Sequence, residues 1–208
     1  MTSTEPLIEL DDGIDGAEQL AQVVPRLGEL VARVQPGDLP LATPCAAWTT
    51  RDLLNHVVGG ALMFAEAFGG APVRDISGRL PDVVGDDPMG AFERAVAAFG
   101  AAAERPGAME RVLHVPYGAM TGRTFLRFAA FDLLVHTWDL GTTLGLEVDA
   151  PAELVTPIDT FARRVLGGWI RDGVNFGPEV PAAPGASPLE RLVAFTGRSV
   201  VPAAGHHR

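Results

Sequence analysis

Phe131-Asp132-Leu133-Leu134-Val135-His136-Thr137-Trp138-Asp139 decides how this chain is read. The stretch around it, from about Thr121 to Leu144 with Gly145 after it, has the length and the stop signal of a helix. On a helix, Asp132 and His136 are four apart and stand one turn from each other on one face, close enough to share an ion. A carboxylate set among Phe131, Leu133, Leu134 and Val135 needs a partner to offset its desolvation. Metal ligation meets that need, and so does an intrahelical Asp–His hydrogen bond; spacing alone leaves both open. Asp139 follows His136 by three positions and falls on nearly the same face. It can be an acceptor for His136, an alternative ligand, or a solvated residue near the helix end.

A second apolar run, Leu53-Leu54-Asn55-His56-Val57-Val58, offers His56. A lone histidine in an apolar helix is more often a core or surface residue than a ligand. A bundle that brings His56 opposite the Asp132/His136 face, however, completes a site of two histidines and one carboxylate. Three protein ligands leave positions for water or substrate, the arrangement of a catalytic metal rather than a closed structural one. Gly59 and Gly60, one turn beyond His56, are poor helix formers in an otherwise good helix. They read either as close helix packing or as room for a ligand above the metal.

Working outward, helical patterns alternate with Pro/Gly-rich joints. Leu20, Val23, Val24, Leu27, Leu30, Val31 and Val34 recur at three- and four-residue steps and predict an amphipathic helix over 16–34, bent at Pro25. Thr49 or Thr50 caps a helix running to Phe68 before Gly69-Gly70. Asp86-Asp87-Pro88 opens a third helix through Ala103, whose alanines permit close neighbours. The 112–118 segment is short and broken by Pro116, so it is expected as a strand-like excursion near the bundle mouth. Further helices are expected over 152–172 and 187–195, the latter capped by Ser187. Residues 1–14 are expected as a flexible arm, 15–200 as one helical bundle domain, and 201–208 as a tail. The predicted fold class is therefore all-α: an antiparallel four-helix bundle with additional short helices and long connectors.

Composition bounds the function. The 208 residues, 47% of them hydrophobic, bury a sizeable core in one domain. Lys and Arg number 16 against 26 Asp and Glu, a net charge of −10 without a basic stripe, which argues against nucleic acid as a partner. Cys45 is the sole cysteine, and no apolar leader or membrane-length run is present, so a cytoplasmic setting is expected.

Other candidates have plainer readings. His114, beside Tyr117, is an acid/base candidate or a surface residue. His206 and His207 belong to the tail. Cys45 lies near Trp48 in the loop before the His56 helix, and packing is the favoured reading because a reactive thiol needs a lowered pKa. Arg123 and Arg127 can meet a carboxylate near the pocket or remain solvated helix charges.

The stretch Thr43-Pro44-Cys45-Ala46-Ala47-Trp48-Thr49-Thr50-Arg51-Asp52-Leu53-Leu54-Asn55-His56-Val57-Val58-Gly59-Gly60 and the later run from Asp132 to Leu140 resemble the actinobacterial branch of the DinB/YfiT superfamily. That branch includes the mycothiol-dependent maleylpyruvate isomerases. The ending from Ser187 to Arg198 resembles the same group. The resemblance implies a four-helix bundle whose divalent metal, commonly zinc with nickel or iron as alternatives, is held by His56, Asp132 and His136. The departure is at Asp132, where many members carry His and the mycothiol-dependent isomerases carry Glu. The shorter Asp either draws its helix toward the ion or weakens the site.

The resulting expectation is a metal-dependent enzyme that activates a low-molecular-weight thiol such as mycothiol, or water, for isomerisation or transfer on a small electrophilic substrate. A non-catalytic, stress-associated metal-binding bundle, with a homodimer as one form, is the alternative, and a two-His, one-carboxylate iron site is a third.

Overall fold

The computed structural model describes residues 7–9, 12–45, 48–74, 80–115, 118–166, 171 and 176–200. Six helices dominate it: α1 (Gly16–Val31), α2 (Thr50–Phe68), α3 (Pro88–Ala103), α4 (Gly122–Leu144), α5 (Ala152–Val165) and α6 (Pro188–Phe195). The helix starts follow from local chemistry. Thr49 and Asp52 form a capping box at α2, and Ser187 and Glu190 form another at α6. Asp87 caps α3 with Pro88 in its first turn, and Thr121 accepts from Thr124 N at α4. α4 ends at Gly145, whose φ of 66° is the left-handed conformation that Gly adopts without strain.

α1 runs uninterrupted across the exposed Pro25 and stops at Val31, three residues before the expected end. There Arg33 N and Val34 N bond back three residues, to Leu30 O and Val31 O, and tighten the chain out of the α-helix. α5 ends at Val165, seven residues before the expected end at Asp172, because Leu166 leaves the helical region at ψ 76° and Arg171 is not helical either. Residues 167–170 and 172 lie outside the described residues, as do Tyr117 and the tail with His206 and His207.

A three-stranded sheet accompanies the bundle: β1 (Leu7–Ile8), β2 (Val112–Val115) and β3 (Gly118–Thr121), in the order β1-β3-β2. β2 pairs antiparallel to β3, with His114 opposite Ala119, so the expected excursion is half of a hairpin. β1 adds to β3 in parallel, with Leu7 opposite Ala119. Residues expected to form a flexible arm are thereby tied down at two points, because Asp12 also bonds Arg127 of α4 at 2.6 and 3.1 Å.

α4 is the axis of the molecule. Phe125, Phe128, Ala130, Phe131, Leu134, Val135 and Leu140 are buried around it, so its apolar positions do not form one stripe. It is enclosed by Leu20 and Val23 of α1, Met63, Phe64 and Phe68 of α2, Ile158 and Phe161 of α5, and Leu192 and Val193 of α6. A second apolar cluster joins Leu27 and Val31 of α1, Leu53, Leu54, Val57 and Val58 of α2, and Ala91, Phe92 and Ala95 of α3. At the α1–α4 crossing, a Cβ on Gly16 would stand 2.6 Å from Arg127 N, so only glycine fits. No helix among the described residues is long and apolar enough to cross a membrane.

Candidate metal centre

Polar side chains interrupt the buried surface of α4 at Asp132, His136 and Asp139, and α2 presents His56 to the first two. The Asp132 carboxylate lies between the two imidazoles: Oδ2 is 3.5 Å from His56 Nε2 and Oδ1 is 3.6 Å from His136 Nε2. One ligand atom from each of the three residues falls within 4.8 Å of the other two. Donors bonded to one zinc-like ion at about 2.0–2.2 Å sit roughly 3–4 Å apart, and both His–Asp separations fall in that range. They are too long for good hydrogen bonds. The intrahelical Asp132–His136 hydrogen bond left open by the spacing is therefore not what holds this pair.

The far side of His136 carries the arrangement that metal-ligating histidines favour. Its Nδ1 lies 3.0 Å from Asp139 Oδ2, which leaves Nε2 turned toward Asp132. Asp139 is fully buried and is gripped by Arg198, whose Nε donates to Oδ1 at 3.3 Å and Nη2 to Oδ2 at 2.9 Å. Of the three roles open to Asp139, the structure selects acceptor for His136. Trp48, in the loop before α2, walls the imidazoles with ring centroids 4.7 Å from His56 and 5.9 Å from His136.

The electrostatics suit a cation. Burial pushes the Asp132 carboxyl upward, but the imidazoles of His136 and His56 beside it outweigh burial and hold the group at about 2. Asp139 is likewise held down against its burial by Arg198 and His136. Two carboxylates against one guanidinium leave this buried cluster short of one positive charge when the imidazoles are neutral. With a divalent ion and one monoanion the deficit closes to neutrality, which low-dielectric surroundings favour. The donor set of two imidazoles and one carboxylate thus fits a divalent metal.

Several candidates lie elsewhere. His114 is exposed on β2, which meets the N-terminal end of α4, whereas Asp132 lies ten residues along that helix, about 15 Å from its start. Arg123 pairs with exposed Glu110, and Arg127 is buried against Asp12, so neither joins the triad. Gly59 serves packing rather than ligand space, since its Cβ would stand 2.9 Å from Leu80 Cδ1 of the connector over α2. Asn55 anchors that connector, accepting from Val83 N and Val84 N at 2.9 and 3.1 Å. Cys45 is buried; burial drives its thiol up to about 12, against the pull of Arg198.

Residues 20–141 match the family model described as the mycothiol maleylpyruvate isomerase N-terminal domain. The chain belongs to that family. It spans a DinB-like domain, as the sequence resemblance implied, and the mostly helical fold agrees. His56, Asp132, His136 and Asp139 all lie inside the matched segment, whereas Arg198 lies outside it. Two Mycobacterium tuberculosis proteins, the uncharacterized protein Rv0738 of strain H37Rv and the uncharacterized protein MT0763 of strain CDC 1551, are each 31% identical to it over 172 residues. The alignment covers 82% of this chain and 91% of theirs. No solved structure matches.

Sequence reading assigned no site role to Trp48 or Arg198. Trp48 had a local signal, its place in the run leading to His56. Arg198 had none, because its partner is 59 positions away and no periodicity links two such residues.

Proposed function

We propose that the protein is a metal-dependent enzyme that uses a low-molecular-weight thiol, mycothiol in the first instance, on a small electrophilic substrate by isomerisation or transfer. The convergence of His56, Asp132 and His136 within 4.8 Å carries this reading. The family description, which names a mycothiol-dependent isomerase domain, supports the choice of thiol. When bound, a zinc-type ion supplies Lewis acidity, which favours the ionised form of a thiol or water beside it.

The chain's own residues do the rest. His56, Asp132 and His136 would hold the ion as its three protein ligands. Asp139 keeps the proton of His136 on Nδ1, so that Nε2 remains a donor to the ion. Trp48 shields the imidazoles from solvent and lowers the local dielectric. The low-lying Asp132 stays anionic throughout the physiological range and contributes charge without taking up a proton. No side chain of the described protein has to supply the thiol, since Cys45 is held protonated; the thiol comes from outside. A reducing cytoplasm suits that partner.

The test is direct. Purified protein loaded with cobalt, titrated with mycothiol, is expected to gain a sulfur-to-metal charge-transfer band and to turn over small electrophilic acids only when the thiol is present. A spectrum indifferent to mycothiol and to simpler cysteine-based analogues, with no thiol-dependent turnover, overturns the reading and leaves a non-catalytic metal-binding bundle.

A further inference from the structure

Arg198 follows the C-terminal end of α6, yet its side chain is 6% exposed and reaches the buried Asp139 of α4. The reach is built into the backbone. At the end of α6, Gly197 N bonds Ala194 O at 3.0 Å and Arg198 N bonds Val193 O at 3.1 Å, the paired 5→2 and 6→1 bonds of a Schellman turn. Gly197 takes the required left-handed conformation at φ 93°, and a Cβ there would stand 2.7 Å from Gly177 Cα. Arg171 ties the same corner together by donating to Gly177 O and Phe195 O, both at 2.8 Å. α6 itself is anchored in the core by Leu189, Leu192 and Val193. Arg198 is therefore delivered from a fixed point.

We propose that Arg198 is a positioning residue for the metal centre: it clamps Asp139 against His136 and so fixes which imidazole nitrogen faces the ion. The proposal rests on the metal reading above. A shared atom distinguishes this clamp from an ordinary buried ion pair. Asp139 Oδ2 lies 2.9 Å from Arg198 Nη2 and 3.0 Å from His136 Nδ1, so any rotation of the carboxylate that frees one loosens the other. The planar guanidinium engages both carboxylate oxygens, at 3.3 and 2.9 Å, which fixes the plane of Asp139. A lysine in its place supplies charge but not the two-point grip. The C-terminal segment thereby becomes part of a centre whose donors all come from α2 and α4.

The experiment measures zinc affinity by competition with a chelating dye, together with the imidazole nitrogen shifts of His136 in metal-free protein. It compares wild type, Arg198→Gln, Arg198→Lys, Asp139→Asn and the double Arg198→Gln/Asp139→Asn variant. Arg198→Gln and Asp139→Asn are each expected to weaken zinc binding about 10- to 100-fold, with Arg198→Lys between wild type and Gln. The double variant is expected to bind within about twofold of Asp139→Asn, because both changes break one linkage. In metal-free protein, Arg198→Gln is expected to lose the wild-type preference for the proton on Nδ1 of His136.

A folded Arg198→Gln protein with wild-type tautomer and zinc affinity overturns the proposal, and so does a double variant that loses the sum of both effects. If Arg198→Gln does not fold, Arg198→Lys carries the same test: wild-type tautomer and affinity in it overturn the two-point grip. If wild type binds no zinc, or His136→Ala binds it unchanged, the metal reading fails instead. The tautomer comparison then still decides the clamp.

Discussion

α4 carries two ionic clusters on opposite faces, each with a buried member, and they differ in charge balance and in what they leave over. Arg127 is 2% exposed and meets Asp12 at 2.6 and 3.1 Å, with Arg164 of α5 a further 3.7 Å from the same carboxylate. Phe161 lies beneath the guanidinium at 4.7 Å. The one carboxylate there faces two guanidiniums, so positive charge is not lacking, and no group of donors among the described residues converges on a point there. Nine positions later, His136 stands among two carboxylates and one guanidinium, with three ligand atoms drawn together. A carboxylate with cations to spare fastens the N-terminal segment to the bundle. A cluster short of positive charge, with convergent donors, fits a cation.

The largest effect that separates the two clusters is on metal binding. His56→Ala and His136→Ala are each expected to abolish stoichiometric uptake of about one divalent ion per chain, as three-ligand catalytic sites have no donor to spare. Equilibrium dialysis with elemental analysis checks this, and circular dichroism checks that the helices remain. Arg127→Met is expected to leave uptake unchanged. Full occupancy in the double histidine variant, or loss in Arg127→Met, breaks the distinction.

The next effect is on stability and belongs to the other face. Asp12→Ala strands the buried Arg127 guanidinium, and removing one partner of a buried pair costs about 3 kcal/mol, taken at the lower end because Asp12 keeps some contact with solvent. Urea melts measure it. The same melts on Asp12→Ala/Arg127→Met are expected to recover part of the loss, since an apolar chain replaces an unpaired charge. Zinc affinity is expected to stay the same in both.

These two faces were unequally legible in the sequence. The α4 face bearing Asp132 and His136 was readable because a one-turn spacing is a local property of a helix, whereas His56 on its own apolar run favoured a packing role and joined the site only as the residue a bundle could bring opposite that face and through the family resemblance. The caps at Thr49, Asp87 and Ser187 placed helix starts to within a residue for the same reason. Asp139 was visible as a candidate but its role was not, because the choice among its three readings depends on Arg198, which arrives from a different helix. The Arg127–Asp12 pair was hidden in the same way: 115 positions separate its members, and Asp12 sat in a segment with no periodicity. The parallel pairing of Leu7–Ile8 with β3 was equally silent, since a two-residue strand carries no alternation to detect.

Acid sensitivity sharpens the comparison at a smaller magnitude. In metal-free protein the folded Asp132 carboxyl lies at about 2 against an ordinary 3.8. A depressed folded value means that the contribution to stability is fully present above pH 3.8 and is lost as the pH falls through about 2. The difference corresponds to roughly 2 kcal/mol, of the order that one group can contribute by linkage. Asp132→Asn is therefore expected to flatten the acid limb of the stability profile between pH 3.8 and about 2. If wild type and Asp132→Asn lose stability in parallel as the pH falls, the charge imbalance at this face is not what the geometry indicates.

The smallest effect is expected at Cys45, the one thiol near the centre. It is 8% exposed, and burial first, with Asp139 and Asp132 adding to it, lifts its titration to about 12 in spite of Arg198. At neutral pH it is a small neutral side chain filling space beside the loop that carries Trp48. Native protein is expected to resist iodoacetamide and to label only after denaturation, because the thiolate is the reactive form. Cys45→Ala removes one buried sulfur and is expected to cost about 1 kcal/mol or less in a urea melt, with zinc affinity unchanged. Rapid alkylation of the folded protein, or a Cys45→Ala variant that loses zinc, would move this residue from packing into the centre as a fourth donor. In that case an external thiol would have no open position to take, and the contrast between the two faces of α4 would become one between a fastening and a closed structural metal.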